Sequence, residues 1–123
     1  MAKQGGRYAR NKGHSFERKV AEAFRRIFPG SARKLEYHES DCTGVDLRGT
    51  GPFRIQCKRN VKYAPIGKIE EIQENGIKAL VTQGDRKKPV ICLYLDDFLE
   101  ILSDIGVAYE GSETSGNIQK DEM

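Results

Sequence analysis

The sequence predicts an α/β protein in which helices flank a small mixed β-sheet. Three observations carry that expectation. An apolar stripe at helical spacing runs from Phe16 to Ile27. Two runs of alternating apolar and polar residues, 44–49 and 53–59, flank a Thr50-Gly51-Pro52 turn. Further on, two β-favouring runs, 77–83 and 89–95, are separated by a polar turn. Helical and strand patterns therefore interleave, as they do when helices cover a sheet.

The elements follow in order. Residues 1–13 are rich in Gly, Arg and Lys without periodicity, and predict a flexible basic arm. From Ser15, a plausible N-cap, Phe16, Val20, Ala23, Phe24 and Ile27 form one helical stripe, which Pro29-Gly30 ends. Arg18, Lys19, Glu22, Arg25 and Arg26 fall on the far side, and Glu17 lies at the stripe's edge. Residues 33–38 predict a first strand and ESDCTG a turn, before the strands at 44–49 and 53–59. After a loop over 60–65, residues 66–75 read as a short helix with Ile66, Ile69 and Ile72 inward. IKALVTQ (77–83) predicts a strand, because Val81 and Thr82 favour β and GDRKK reads as a hairpin turn. A longer helix running to Gln83 is the alternative. PVICLYL (89–95) is apolar enough for a strand buried on both faces. DDFLEILSDIG predicts a closing helix capped by Asp96 or Asp97. The expected organisation is an arm over 1–13, one domain over 14–105, and an acidic, Gly/Ser-containing disordered tail over 106–123.

Composition narrows the class. A length of 123 residues suits one domain, and 32% charged with 37% hydrophobic residues suits a soluble globular one. No apolar run approaches the roughly 18–20 residues of a membrane span, and the basic N-terminus lacks the apolar middle of a secretory signal. The expectation is an intracellular protein, cytoplasmic or in a host cytoplasm if viral, with no membrane partner. Three cysteines, Cys42, Cys57 and Cys92, with no CxxC spacing, argue for reduced thiols; Cys57 and Cys92 are most simply core residues.

The net charge of +3 hides a gradient: residues 1–34 hold ten Lys/Arg against two acids, and residues 85–123 hold four against nine. A basic front segment suggests a polyanion, with nucleic acid the leading candidate; a merely solvated basic face is the other reading.

The chemistry gathers in GVDLRGTGPFRIQCKR (44–59). Alternation along 53–59 puts Phe53, Ile55 and Cys57 on one face and Arg54, Gln56 and Lys58 on the other. Val45 and Leu47 go to the core, so Asp46 points with the polar set. It stands opposite Gln56 if the hairpin loop has an odd number of residues, such as Thr50 to Pro52. A carboxylate, an amide oxygen and an ammonium then converge, and Glu17 can join from the helix edge. Mg²⁺ prefers oxygen ligands and keeps several waters, so one or two carboxylates suffice. Taken alone, the same pattern also fits an ordinary solvated hairpin.

The order of parts resembles the PD-(D/E)XK nuclease superfamily, and among its members the small Holliday-junction resolvase-like proteins. The resemblance runs from about Lys12 to Leu102: KGHSFERKVAEAF as the opening helix, GVDL as the acidic strand, FRIQCKR as the x-x-K strand, then a helix and PVICLYL. It implies a restriction-endonuclease-like core and a metal-dependent DNA endonuclease, structure-specific for branched DNA and acting as a homodimer. It further implies a Mg²⁺ site, with Mn²⁺ able to substitute, formed by Asp46, Gln56 and the backbone carbonyl of Cys57. Glu17 would bind metal directly or through water, Lys58 would be the catalytic lysine, and Ser40 or Thr43 the functional hydroxyl. The chain departs from the pattern at Gln56, where the family usually has Glu or Asp; the amide keeps an oxygen but removes one negative charge.

Around this centre, His14 is either a phosphate contact or an exposed residue beside the N-cap, and His38 either lines the site or marks a surface turn. Glu39 and Asp41 either supply the charge Gln56 lacks or are turn acids. Tyr63 stacks or caps its loop. Arg7, Arg10, Lys12, Arg33, Lys34, Arg54, Arg59 and Lys62 are candidates for phosphate contacts that position a duplex without reading sequence. The competing functions are cleavage of nicked, flapped or ordinary duplex DNA, and a catalytically silent DNA-binding module.

Overall fold

The computed structural model describes the backbone of residues 2–29, 32–34 and 43–106, and the side chains of 11–29, 32 and 43–106. Helix α1 spans Ala2–Phe24 and is followed by the short strands β1 (Arg33–Lys34) and β2 (Leu47–Arg48) and the longer β3 (Phe53–Arg59). A 3-10 helix (Ile66–Glu71), β4 (Ile77–Gln83), β5 (Val90–Leu93) and α2 (Leu95–Ile105) complete the order. β3, β4 and β5 form a mixed three-stranded sheet with β4 in the centre, parallel to β3 and antiparallel to β5. β1 and β2 pair antiparallel as a separate ribbon. The chain is thus an α/β protein with a small mixed sheet. Two compact units divide it, 1–93 and 94–123.

Both faces of the sheet carry a core, because alternate side chains of β3 and β4 point oppositely. On one face Phe16, Val20 and Ala21 of α1 pack with Leu47, Ile55, Cys57, Ala79 and Val81. On the other, Leu80 packs with Val45, Ile69 and Ile72. Each fully buried aliphatic side chain contributes about 1.5–3 kcal/mol, so α1 is fastened to one face of β3 and β4 and the 3-10 segment to the opposite face of β4. β3 and β4 have the boundaries the alternation predicts, since in each every second residue enters one of these cores.

Elsewhere the structure corrects the expectations. α1 begins at Ala2, so Ser15 lies inside the helix rather than at its cap, and the predicted arm is helical from its second residue. Ala, Lys, Gln and Arg in that stretch are strong helix formers; each Gly costs only about 1 kcal/mol, and a helix once nucleated propagates through it. The buried stripe is centred on Phe16, Val20 and Ala21; Ile27, 71% exposed, lies past the helix end. The expected strand over 33–38 is described only at Arg33–Lys34, and the expected helix over 66–75 is a 3-10 turn ending at Glu71. β5 is an edge strand, with Val90 and Ile91 40% and 50% exposed, and not buried on both faces. α2 starts after Tyr94, which makes no side-chain cap; Asp96 and Asp97 sit in its first turn, where carboxylates offset the helix dipole. The helix ends at Gly106, in the left-handed region at φ 66°. The predicted tail from 107 onward lies outside the described residues.

A carboxylate fastens the turn before β4. Glu74 accepts a two-pronged pair of hydrogen bonds from Arg48 at 2.6 and 2.7 Å and lies 3.0 Å from Arg54 Nε. The hydrogen bond from Arg48, aided by the charges of Arg48 and Arg54, holds the Glu74 carboxyl below its ordinary range. A carboxyl lowered in the folded state stabilises fully above the unfolded value, near 4.3, and loses that contribution as pH falls through the folded one. Glu74→Gln is therefore expected to lower stability by about 0.5–1 kcal/mol at neutral pH. The difference from wild type vanishes in denaturant titrations carried progressively below about pH 4.

Candidate active site

The site is built on the central part of β3. Ile55 and Cys57 face α1, while Arg54, Gln56 and Lys58 face the segment 71–75. This is the division that alternation predicts.

Asp46 reaches this strand in an unexpected way. A regular hairpin with an odd loop would set it across from Gln56, but β2 pairs with β1 instead of with β3. Val45 and Leu47 are both buried, yet they enter opposite cores, so strict alternation breaks at Asp46. The Asp46 N–H donates to the carbonyl of Ile55 at 2.8 Å, and its carboxylate Oδ2 accepts the N–H of Cys57 at 2.8 Å. Asp46 thereby holds the residues on either side of Gln56.

The loop that delivers Asp46 is fixed by backbone packing. Gly44 adopts φ +72°, and a Cβ there would lie 2.3 Å from the carbonyl oxygen of Glu71, so this position admits only glycine. The Thr43 carbonyl accepts the Gln73 N–H at 2.7 Å, and the Thr43 hydroxyl accepts the Val45 N–H at 3.2 Å. That hydroxyl shapes the entry to the Asp46 segment. Ser40, the other candidate, lies outside the described residues, as do His38, Glu39 and Asp41.

On the α1 side, Glu17 follows the buried Phe16 and is itself half-buried. Burial pushes the Cys57 thiol well above its ordinary value, with the charges of Asp46 and then Glu17 adding to the rise. Asp46 bonds Cys57 directly, whereas Glu17 belongs to α1, which packs on the face of β3 opposite to the one that carries Gln56 and Lys58. Cys57 is a core thiol, 7% exposed, and Cys92 packs half-buried against the opposite core. His14, half-buried, precedes Glu17 by one helical turn.

Gln56 is the most informative residue. Only 3% exposed, it donates from Nε2 to Glu71 Oε1 at 3.0 Å, while its Oε1 is buried without a hydrogen-bond partner. Among the described residues no other buried side-chain nitrogen or oxygen is left so. A carboxylate can only accept, so Glu71 keeps the amide nitrogen towards itself and the oxygen away. An unsatisfied buried acceptor costs about 1–3 kcal/mol. Lys58, beside it on the strand, has Nζ 3.7 Å from the same Glu71 oxygen, and Lys68 Nζ is 3.1 Å from the other. Bonds from Lys68 and then Gln56 hold the Glu71 carboxyl below its ordinary range, and the Lys58 charge adds to this. Sequence reasoning missed Glu71: it lies 15 residues from Gln56 in the chain, and only the parallel pairing of β3 with β4 folds the intervening crossover back onto Gln56.

Among the described residues no three His, Cys, Asp or Glu side chains gather as a metal cage. The donors implied here are of a different kind, a carboxylate, an amide oxygen and a backbone carbonyl. The orphaned Gln56 oxygen fits such a set, because a hard cation would give it the partner it lacks.

The basic candidates divide. Arg54 is committed internally, to Glu74, to the Asn75 carbonyl at 2.8 Å and to the Gly51 carbonyl at 3.1 Å. Lys12 and Arg59 both meet Asp85, at 3.2 and 2.9 Å. They line an open groove of ≈ 560 Å³ together with Arg18, Lys19, Phe16 and Gln83. Arg18 and Lys19 are additional cations that a helical wheel reads only as an outer face. Lys62 is exposed, and Tyr63 caps its loop by donating to the Lys88 carbonyl at 2.7 Å. The side chains of Arg7, Arg10, Arg33 and Lys34 lie outside those described. No helix among the described residues is long and apolar enough to cross a membrane. Compared with protein-family models, curated proteins and solved structures, the chain matches none.

Proposed function

We propose that this protein is a metal-dependent endonuclease that hydrolyses phosphodiester bonds in DNA, with a restriction-endonuclease-like core and a preference for branched substrates. The observation that carries this reading is the buried, unpartnered oxygen of Gln56, on the strand that holds Lys58 and is gripped by Asp46. Asp46, the Gln56 oxygen and the Cys57 carbonyl would hold Mg²⁺ or Mn²⁺, with Glu17 binding directly or through water. The ion would polarise a phosphoryl oxygen and lower the pKa of a water nucleophile. Lys58, a third exposed and next to the amide, is suited to stabilise charge developing on the phosphoryl group. The groove beside α1, lined by Lys12, Arg18, Lys19 and Arg59, offers phosphate contacts chiefly from Arg18 and Lys19, since Lys12 and Arg59 meet Asp85. Paired nicks across a two-fold junction need two such sites related by the same symmetry, which a homodimer supplies.

The test is cleavage of four-way junction, flapped, nicked, duplex and single-stranded DNA with Mg²⁺, Mn²⁺ or EDTA. The expected result is metal-dependent cutting, strongest on the junction and absent in EDTA. Affinity for DNA should fall steeply with salt, since each neutralised phosphate contributes a slope of about −0.9 in log K against log salt. Preferential cutting of flaps or nicks would move the substrate within the same chemistry. Binding without cleavage under every metal condition would overturn the enzyme and leave a DNA-binding module.

A further inference from the structure

We propose that Glu71 supplies the negative charge that Gln56 lacks, acting as a positioning residue that locks the amide oxygen towards the metal. This rests on the metal site proposed above and adds to it a residue from a different element. In a carboxylate at position 56, charge and ligand oxygen would share one side chain. Here the two are divided: Gln56 offers the oxygen, and Glu71 Oε1, 3.0 Å from Gln56 Nε2, offers the charge.

Three features separate Glu71 from an ordinary surface acid. Its neighbours Ile69 and Ile72 are buried in the core beneath the sheet, so the turn that carries it is anchored. Its carbonyl abuts Gly44, and Gln73, two residues on, donates its N–H to the Thr43 carbonyl, so one stretch of backbone sets both Glu71 and the entry to Asp46. Its Oε1 is shared between the buried Gln56 amide and Lys58 Nζ, 3.7 Å away, linking the two residues the chemistry needs. An exposed pair with Lys68 alone would require none of this.

Outer partners that orient a metal ligand typically govern 10–100-fold in metal affinity. The experiment measures Mn²⁺ binding by electron paramagnetic resonance, without DNA, on the full chain and on Glu71→Gln, Asp46→Asn and the exchange Gln56→Glu/Glu71→Gln. Thermal melting of each variant monitors folding. Glu71→Gln is expected to weaken Mn²⁺ binding at least about 10-fold with little change in melting temperature. The exchange, which returns the carboxylate to position 56, is expected to restore binding to near wild type. If wild type binds Mn²⁺ and Asp46→Asn does not, while Glu71→Gln binds as wild type, the metal site stands and the role of Glu71 is refuted. Loss in Glu71→Gln without recovery in the exchange also refutes it, marking Glu71 as part of the scaffold only. Wild-type protein that binds no Mn²⁺ overturns both the site and this role.

Discussion

Asp46→Asn is expected to leave the protein folded and to lower the proposed metal-dependent cleavage by about 10²–10³-fold, the several kcal/mol that a bound metal contributes to a transition state. The substitution is informative because the two jobs of Asp46 separate. One carboxylate oxygen accepts the N–H of Cys57 at 2.8 Å. An asparagine keeps an oxygen there, so the hook onto β3 survives while the negative charge is lost. Asp46→Ala removes both and leaves the Cys57 amide without its acceptor, at a further cost of about 1–3 kcal/mol in stability. The pair of variants is read by denaturant unfolding alongside single-turnover cleavage. Near-normal cleavage by folded Asp46→Asn would remove Asp46 from the site. Equal destabilisation of the two variants would mean that its charge, rather than its hydrogen bond, holds the strand.

β3 and β4 were legible because a strand between two cores must alternate, and Ile55, Cys57, Leu80 and Val81 obey that rule. The split of Gln56 and Lys58 from Cys57 followed from the same alternation. Asp46 was legible as a residue and not as a geometry: its neighbours enter opposite cores, a twist made by the departure of β2 towards β1 that no local period encodes. Glu71 was illegible for a related reason. Between two buried isoleucines in IEEI it looks like the outer face of a short helix. Its significance arises from a contact with Gln56 that depends on how the crossover returns to the sheet. The N-terminus failed differently, since glycines read as breakers are only modestly unfavourable inside a helix that is already formed. The commitment of Arg54 to Glu74 and of Lys12 and Arg59 to Asp85 was also beyond a charge count, which cannot tell a cation paired within the fold from one facing solvent.

Lys58→Ala tests the chemical step itself. Lys58 is 34% exposed and Glu71 45%, at 3.7 Å, so their ion pair contributes no more than about 1 kcal/mol to folding. Melting temperature should hardly move. Removing one group that stabilises developing charge typically costs about 10²–10³ in rate, and that loss is expected at saturating DNA, with Mn²⁺ binding retained because no metal ligand has been touched. A lysine serving only as a phosphate contact gives the opposite signature. DNA affinity and the salt slope would fall, by about one unit for a single phosphate, while the rate at saturation stayed near wild type. Lys58→Arg sharpens the distinction. Arginine keeps the charge and suits phosphate contact at least as well, but its planar fork cannot reproduce a compact ammonium held beside the Gln56 amide. Recovery of affinity without recovery of rate in Lys58→Arg therefore assigns Lys58 to the reacting phosphoryl group, and recovery of both would return it to the DNA-binding surface.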